Sequence, residues 1–335
     1  MSRPETCPVD PADRDELLAI CKRTFQKPRP DGTLARQFHS KTHACLRATL
    51  TIDPPDDPAV CHGLFAKPGR YPALVRFSNS FFQDDAGPDA RGMAIKLSGV
   101  AGDVCEGAPP GQQDFVLMNE AIGPARDAKE AMHLFRALDG IRKLTAAAVL
   151  APRYLFPSIL PWQARWRYFA FLCGSGFKHL RGHDLAQMTY NSVTPYRLGD
   201  GATKFLVRPD AAALARRPLK GRDFCARLQA ALDTGPIRFE FCLQPRANEN
   251  DPIEDARIAW QSPVHVVGRL EIPPQDARTS IALGDQLAFS PWNCVAAHEP
   301  LGSVNALRRD AYAASAANRG ADAVPPAYAW GGDPD

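Results

Sequence analysis

The sequence predicts an α+β protein built on an antiparallel sheet or barrel, with a helical insertion and a helix near the C-terminus. Segments with strand periodicity follow one another in residues 42–119 and again in 203–272, separated by Gly, Pro and Asp turns instead of long helices. Residues 127–187 are instead rich in Ala, Leu and aromatic residues in helical patterns. Many strands with few intervening helices favour an antiparallel sheet or barrel.

The elements follow in order along the chain. A short helical pattern from Arg14 to Phe25 precedes a turn, and residues 42–52 then alternate Ala44, Leu46, Ala48 and Leu50 with more polar neighbours. Such alternation is typical of a half-buried strand. Further strands are predicted at 73–80, 92–100, 113–119, 203–209, 237–245 and 265–272.

Helices and tails complete the predicted organisation. We expect an N-terminal arm over 1–30, one main domain over 31–320 with a helical excursion over about 127–187, and a C-terminal tail over 321–335. The last helix runs from Val304 to about Asn318, and the final residues 325–335 are expected to be a loose tail.

Composition excludes several classes of protein. The 335 residues are 45% hydrophobic, and 40 Lys and Arg against 37 Asp and Glu give a net charge of +3 without basic runs, so nucleic acid is not an expected partner. The N-terminus lacks the pattern of an export signal. The nine cysteines form no CxxC pair, which argues against a disulfide framework or a zinc site and favours reduced thiols in a cytoplasmic protein.

Common catalytic motifs are absent from the sequence. It has no GxSxG elbow, no GxxxxGK[ST] phosphate loop and no GxGxxG after a strand. His39 with His43, and His179 with His183, have a spacing that could place two metal ligands on a helix, but His43 opens a strand and Gly182 interrupts the second pair. Hydrolase, nucleotide-binding and simple metal-site interpretations therefore lose their usual support.

The C-terminal helix carries residues that suggest chemistry. At about 100° per residue, Arg308, Tyr312 and Arg319 fall on one helix face. A phenol binds ferric iron as phenolate only if its surroundings favour the anion, and a guanidinium one turn away does so. Taken alone, the same pattern also fits a surface tyrosine with two helix-stabilising arginines.

Four stretches in the same order resemble the catalase superfamily. They are Arg36-Gln-Phe-His39-Ser-Lys41, VRFSNS at 75–80 with PDARGMAIKL at 88–97, DFVLMN at 114–119, and Arg308, Tyr312 and Arg319. The match covers about residues 30–320. It implies a catalase-like eight-stranded antiparallel β-barrel with a helical insertion and a C-terminal helix that carries the haem ligand.

The resemblance also implies roles for individual residues around a haem b cofactor. Tyr312 would be the axial iron ligand, with Arg308 beside it; His39 would be the distal base, Asn119 its hydrogen-bonding partner and Ser78 its orienter. Arg36, Arg76 and Arg319 would hold the haem propionates, since buried carboxylates need cationic partners and Arg offers bidentate ones.

The sequence also departs from the family's pattern. Gly123-Pro124 replaces an aromatic stretch after the distal Asn, which predicts a roomier pocket, while Phe38 replaces a small residue before His39. The long C-terminal helical domain is missing. The aromatic segment 144–173 could line an entrance or touch a membrane surface as a peripheral contact, although ordinary packing on the barrel is the simpler expectation.

These departures favour peroxidase activity over breakdown of hydrogen peroxide as a catalase. The leading hypothesis is a haem peroxidase that reduces hydrogen peroxide or organic hydroperoxides with an electron donor, as a monomer or small homo-oligomer. Alternatives are a lyase or isomerase that rearranges fatty-acid hydroperoxides, as allene oxide synthases do, and a haem-binding protein without turnover.

Overall fold

Nine strands form the sheet in a computed structural model that describes residues 9–29, 32–85, 87, 89–139, 155–180, 184–217, 219 and 223–330. The predicted strands are confirmed within a few residues at their ends. The nine strands of the described chain are β1 Lys41–Ile52, β2 Gly69–Asn79, β3 Arg91–Ser98, β4 Gln112–Met118, β5 Tyr190–Asn191, β6 Tyr196–Leu198, β7 Gly201–Pro209, β8 Ile237–Pro245 and β9 His265–Ile272.

Eight of these strands close into an antiparallel barrel. The neighbours run β4, β3, β2, β1, β9, β8, β7, and the short strand β5 pairs with both β4 and β7 to complete the ring. β6 forms a hairpin with β7 outside the ring. The predicted fold class is therefore confirmed, whereas β5 and β6 are too short to show an alternating pattern in the sequence.

The helices lie before, within and after the barrel sequence. They are α1 Pro11–Ile20, which continues as a π-helical turn over Cys21–Phe25, α2 Ala128–Leu138, α3 Trp162–Leu180, α4 Ala211–Ala215, α5 Phe224–Asp233, α6 Ile281–Gln286 and α7 Ser303–Asn318. Short 3-10 turns cover Gly63–Phe65, Leu185–Gln187, Ala296–His298 and Ala327–Trp330. Part of the predicted helical excursion, residues 140–154, lies outside the described residues.

The main core fills the barrel. Phe65, Phe115, Phe205 and Phe241 meet at its centre, with ring centroids of Phe115 and Phe205 4.8 Å apart. Because successive side chains of a strand point to opposite faces, Phe115 and Leu117 of β4 enter this core while Val116 and Met118 face the other side. The outer face of β4 is thereby free to line a site.

A second core joins the helices outside the barrel. Leu17 and Ile20 of α1, Met132 of α2 and Leu307 and Ala311 of α7 are buried against one another. Helix α7 is thus packed against α1 and α2. No helix in the described part of the chain is long and apolar enough to cross a bilayer.

The expectation of a loose tail is wrong for residues 325–330. Ala329 is only 2% exposed and packs with Leu74, Leu287 and Phe289, and Asp322 forms a parallel bridge with Leu287. Burial of apolar surface at Ala329 and Trp330 holds this segment against the outer face of the barrel.

Candidate functional site

His39 lies immediately before β1 with an unusual backbone conformation. Its φ of 54° is in the left-handed region, which costs a non-glycine residue about 1–3 kcal/mol. The surrounding backbone holds it there: the His39 amide donates to the Ser80 carbonyl at 2.7 Å, and its carbonyl accepts from the Arg76 guanidinium at 2.6 Å. This strained position is typical of a functional residue held by its neighbours.

Two neighbours fix the His39 ring. Nδ1 lies 3.1 Å from the hydroxyl of Ser78, the residue that the resemblance implies as its orienter. On β3, a Cβ added at Gly92 would lie 2.3 Å from Nδ1, so only glycine leaves room for the imidazole. The sequence shows Gly92 within the DARGMAIK stretch, but only the strand pairing of Ser78 with Gly92 reveals why glycine stands there.

The electrostatic surroundings keep His39 neutral. Burial, followed by the charges of Arg76, Arg308 and Arg36, lowers its pKa to about 3. A neutral imidazole at pH 7 is able to accept a proton.

Tyr312 and Arg308 are neighbours one turn apart on α7. The Arg308 guanidinium carbon lies 5.3 Å from the centre of the Tyr312 ring, and Nη2 is 3.4 Å from the phenol oxygen. Nη1 of Arg308 donates to Thr194 and to Asn305, each at 3.0 Å. Burial opposes the charge of Arg308, but the phenol oxygens of Tyr312 and Tyr196 raise its pKa above the ordinary value. A permanent cation therefore stands beside the phenol.

The segment that carries His39 is tied to the helix that carries Tyr312. The Gln37 side chain donates to the Ala311 carbonyl at 3.1 Å, and its backbone amide donates to the Ser315 hydroxyl at 3.4 Å. These bonds fix the loop against α7. As a result, His39 and Tyr312 both line the same cavity.

Arg36, Arg76 and Arg319 form a buried cluster at one end of this site. Arg36 and Arg319 both donate to the Leu287 carbonyl, and Arg76 donates to the Thr42 hydroxyl and the Gly284 carbonyl. The charge of Asp285 acts on all three arginines, and its carboxylate is also paired with Arg29 at 2.9 Å.

The cluster carries more positive charge than the nearby chain neutralises. Burial, together with the charges of neighbouring arginines, lowers the pKa of Arg76 and of Arg319 to about 10 and that of Arg36 well below its usual value. The Arg319 Nε is buried without a hydrogen-bond partner in the described chain. An unpaired buried donor is costly, so the cluster fits an anionic ligand with more than one carboxylate.

The cavity between His39 and Tyr312 has a volume of about 330 Å³ and a mainly apolar lining. It extends from the outer face of β4 to helices α1, α2, α3 and α7. Its apolar side chains include Leu17, Phe38, Phe81, Val116, Met118, Pro124, Ala131, Leu134, Phe135, Tyr168, Phe171, Val193 and Leu307. A smaller adjoining cavity is lined by His39, Tyr312 and all three clustered arginines.

These residues fit a haem group. The apolar walls suit a flat macrocycle, the phenol of Tyr312 with its guanidinium neighbour suits ferric iron, and the arginine cluster suits two propionates. The unpaired Arg319 Nε and the excess positive charge are observations of this chain, independent of any resemblance.

Asn119 is not brought to the cavity. Its side-chain oxygen accepts from the Arg91 amide at 2.7 Å, and its nitrogen lies 3.8 Å from the Met188 sulfur. Met118, one residue earlier, lines the cavity instead, as strand alternation after Val116 requires. The period-2 pattern of DFVLMN could have revealed Met118, which sequence reasoning missed.

Both departures from the family pattern lie at the cavity. Phe38 lines it and packs against Phe25, Phe81 and Phe135, with centroid distances of 4.9, 5.7 and 5.6 Å. Gly123 and Pro124 form another part of the wall. A bulky aromatic wall thus stands next to His39, whereas a Cβ added at Gly123 would lie only 3.3 Å from the Val193 side chain and 3.4 Å from that of Ala256.

Comparisons with known proteins agree with this fold. No family model matches the chain. A protein described as catalase-related peroxidase from Mycolicibacterium paratuberculosis is 28% identical over 274 residues, which cover 76% of this chain and 81% of that protein.

Solved catalases have the same fold. A fungal catalase is 18% identical with a TM-score of 0.65 and is matched over 95% of this chain and 65% of its own. Catalase A from Saccharomyces cerevisiae is 17% identical with a TM-score of 0.60, matched over 96% of this chain and 67% of its own. A bacterial catalase is 16% identical with a TM-score of 0.59, matched over 93% and 61%.

The protein therefore has the catalase fold and spans about two thirds of the length of these catalases. The predicted resemblance to the catalase superfamily is confirmed, and one protein of similar sequence is described as a catalase-related peroxidase.

Proposed function

We propose that the protein is a haem-dependent peroxidase that reduces hydrogen peroxide or organic hydroperoxides. The observation that carries the proposal is a neutral, backbone-strained His39 facing the same apolar cavity as the Tyr312–Arg308 pair. The arginine cluster at the end of the cavity supports haem b as the cofactor. When bound, haem would supply the redox-active iron that the reduction of a peroxide requires.

The chain's residues have defined roles in this proposal. With Nδ1 held by Ser78, Nε2 of His39 is the atom that takes a proton from one peroxide oxygen and returns it to the other. Arg76 holds the His39 backbone, and the Arg308 guanidinium lies 3.4 Å from the Tyr312 phenol oxygen, the atom that would bind the haem iron. Asn119, engaged with Arg91, is not assigned a part in this step, and its role as distal partner stays a prediction of the resemblance.

Variants of the two facing residues test the proposal. We expect wild-type protein purified with haem to oxidise a peroxidase dye, His39→Ala to keep haem but lose most turnover, and Tyr312→Phe to change the ferric spectrum. Loss of a positioned general base costs about 10²–10⁴-fold in rate. Failure to retain haem, or an unchanged ferric spectrum in Tyr312→Phe, would overturn the proposal.

The apolar cavity also favours a second candidate, rearrangement of fatty-acid hydroperoxides. An acyl chain needs an extended apolar surface, and the cavity provides one between α1, α2 and α3. The same preparation distinguishes the two functions. Consumption of a polyunsaturated fatty-acid hydroperoxide without any electron donor would favour rearrangement, whereas donor-dependent consumption would favour the peroxidase.

A further inference from the structure

Two cysteines far apart in the chain are in contact outside the haem site. Cys105 and Cys294 are 189 residues apart in sequence, and their sulfur atoms lie 3.5 Å from each other. They sit opposite one another on a short antiparallel pairing, in which Val104 pairs with Val295 and the Cys105 amide donates to the Cys294 carbonyl at 2.9 Å.

The backbone at this point suits a covalent bond between the two sulfurs. Directly opposite residues of this kind have Cα atoms about 5.5 Å apart, within the range of about 4.4–6.8 Å that disulfides require. The sulfur atoms then need only side-chain rotation to approach from 3.5 Å to bonding distance. No change of strand pairing is necessary.

The surroundings distinguish the two thiols. Cys294 is 0% exposed and Cys105 is 8% exposed, next to Glu106 whose side chain is 89% exposed. The Cys294 thiol donates to the Cys105 sulfur, and this hydrogen bond lowers the pKa of Cys105. The charges of Arg309 and Arg197 also lower this pKa, whereas burial and the charge of Glu299 raise it. The same bond and burial raise the pKa of Cys294 well above its usual value.

Other buried cysteines lack this arrangement. Burial raises the pKa of Cys21 and of Cys45 to about 12, and neither has a sulfur neighbour among the described residues. Cys61 is more exposed, but its thiol donates to the Pro55 carbonyl. Only a thiol with a depressed pKa and some access is a good nucleophile.

We propose that Cys105 and Cys294 are a dithiol pair that a hydroperoxide oxidises directly to a disulfide. The Cys105 thiolate attacks one oxygen of the hydroperoxide and breaks the O–O bond, which gives a sulfenic acid and an alkoxide that takes up the proton Cys105 has lost. The Cys294 sulfur then attacks the Cys105 sulfur and gives up its own proton, so that hydroxide leaves as water. Two thiols lose two electrons, and the hydroperoxide becomes an alcohol and water.

This reaction uses no residue of the haem site and is independent of the proposed peroxidase activity. Its consequence is a covalent link between the loop after β3 and the segment before α7. Trp292 lies in the same cluster, and its indole donates to the Asn305 carbonyl at 2.8 Å. Because Asn305 also accepts from Arg308, the link would brace the end of α7 that supports Tyr312.

Peptide mapping of the full chain tests the proposal. Reduced protein is freed of reductant, treated with hydrogen peroxide or cumene hydroperoxide, blocked with an alkylating agent under denaturing conditions and digested. We expect a reducible peptide pair that joins Cys105 to Cys294, and its recovery as two free thiols after dithiothreitol. If both residues stay fully alkylated, or if a different pair forms, the proposal is overturned.

Variants identify the order of events. In Cys294→Ser, the sulfenic acid at Cys105 should be trapped by dimedone, whereas Cys105→Ser should give no adduct at Cys294. Cys61→Ser is the matched control and should leave the Cys105–Cys294 bond unchanged. Tyr312→Phe should also form the disulfide at the wild-type rate; a rate that falls with Tyr312→Phe would overturn direct attack by the thiolate.

Discussion

At the residue scale, the absence of a side chain at Gly92 determines where the His39 ring can lie. The imidazole occupies the space that any Cβ at position 92 would need, and Ser78 approaches the same point, with its hydroxyl 2.8 Å from that Cβ. Hydrogen bonds to Ser80, Arg76 and Ser78 hold His39 in a strained backbone conformation, so a side chain at position 92 would displace a ring that these bonds have placed. The ring position therefore depends on a missing methyl group.

We expect Gly92→Ala to lower peroxide turnover by about 10²-fold, the effect of misplacing a catalytic group by about 1 Å. Haem retention and the ferric spectrum should be little changed, because Gly92 does not contact Tyr312. Turnover of a peroxidase dye measures the effect. Gly174→Ala on α3, where an added Cβ meets nothing within 4 Å, is the control; equal activities of the two variants would contradict this account.

At the residue scale, Arg319 matters through its positive charge, whereas Gly92 matters through the space that it leaves. Replacing it by Gln removes a charge-assisted bond worth about 1.5–3 kcal/mol, so we expect haem affinity to fall by roughly 10- to 100-fold. Haem titration followed by absorbance measures the change. Arg278→Gln, which removes an exposed arginine paired with Asp223, should bind haem as the wild type does.

At the scale of elements, β4 contributes side chains both to the barrel core and to the cavity. Phe115 and Leu117 fill the barrel, while Val116 and Met118 line the cavity. Asp114, at the same strand's start, forms a buried ion pair with Lys96, with Nζ–Oδ1 at 2.7 Å and both side chains 0% exposed. Lys96 and Asp114, which belong to the stretches that resemble the catalase superfamily, thus hold β3 to β4.

Under the proposed function, we expect helices α2 and α3, which line the cavity, to limit the size of the substrate. Ala131 of α2 lines the cavity, so Ala131→Leu should narrow it without touching His39 or Tyr312. We expect KM for a fatty-acid hydroperoxide to rise while kinetics with hydrogen peroxide stay near wild type. Ala313→Leu, on the exposed side of α7, is the control. An equal effect on both peroxides would indicate general damage instead of a size limit.

At the scale of the whole molecule, His39, His43 and His298 link folding to pH. Burial lowers the pKa of His39 to about 3 and those of His43 and His298 to about 4. The unfolded chain takes up these protons near pH 6.5, whereas the folded protein resists them until much lower pH. The contribution of these histidines to the free energy of unfolding is therefore fully present above pH 6.5 and is lost as the pH falls towards 4.

We expect the free energy of unfolding to fall by about 1.4 kcal/mol per pH unit for each of these histidines across that window. Urea unfolding at several pH values between 7 and 5 measures the slope. His298 packs against Phe65 and accepts from the Leu64 amide at 3.0 Å, so His298→Gln should reduce the slope while lowering stability at pH 7. An unaltered slope in this variant would contradict the assignment.

Local periodicity predicted most of the fold. Strands β1 to β4 and β7 to β9 are long enough to show it, as in the alternation of Ala44, Leu46, Ala48 and Leu50, and α7 is long enough to bring Arg308 beside Tyr312. The closing strand β5 has two residues, and its place in the ring depends on pairing with β4 and β7. No local pattern encodes such a pairing.

Periodicity and motif order are local properties, so the sequence predicts the long strands, the helix that carries Tyr312 and most of the residues that meet at the cavity. The tertiary contacts reveal that Gly92 makes room for His39, that Met118 and not Asn119 faces the cavity, and that Cys105 meets Cys294. Each of these depends on which strands and segments become neighbours. Burial and strand pairing set those contacts between residues that lie far apart in the chain.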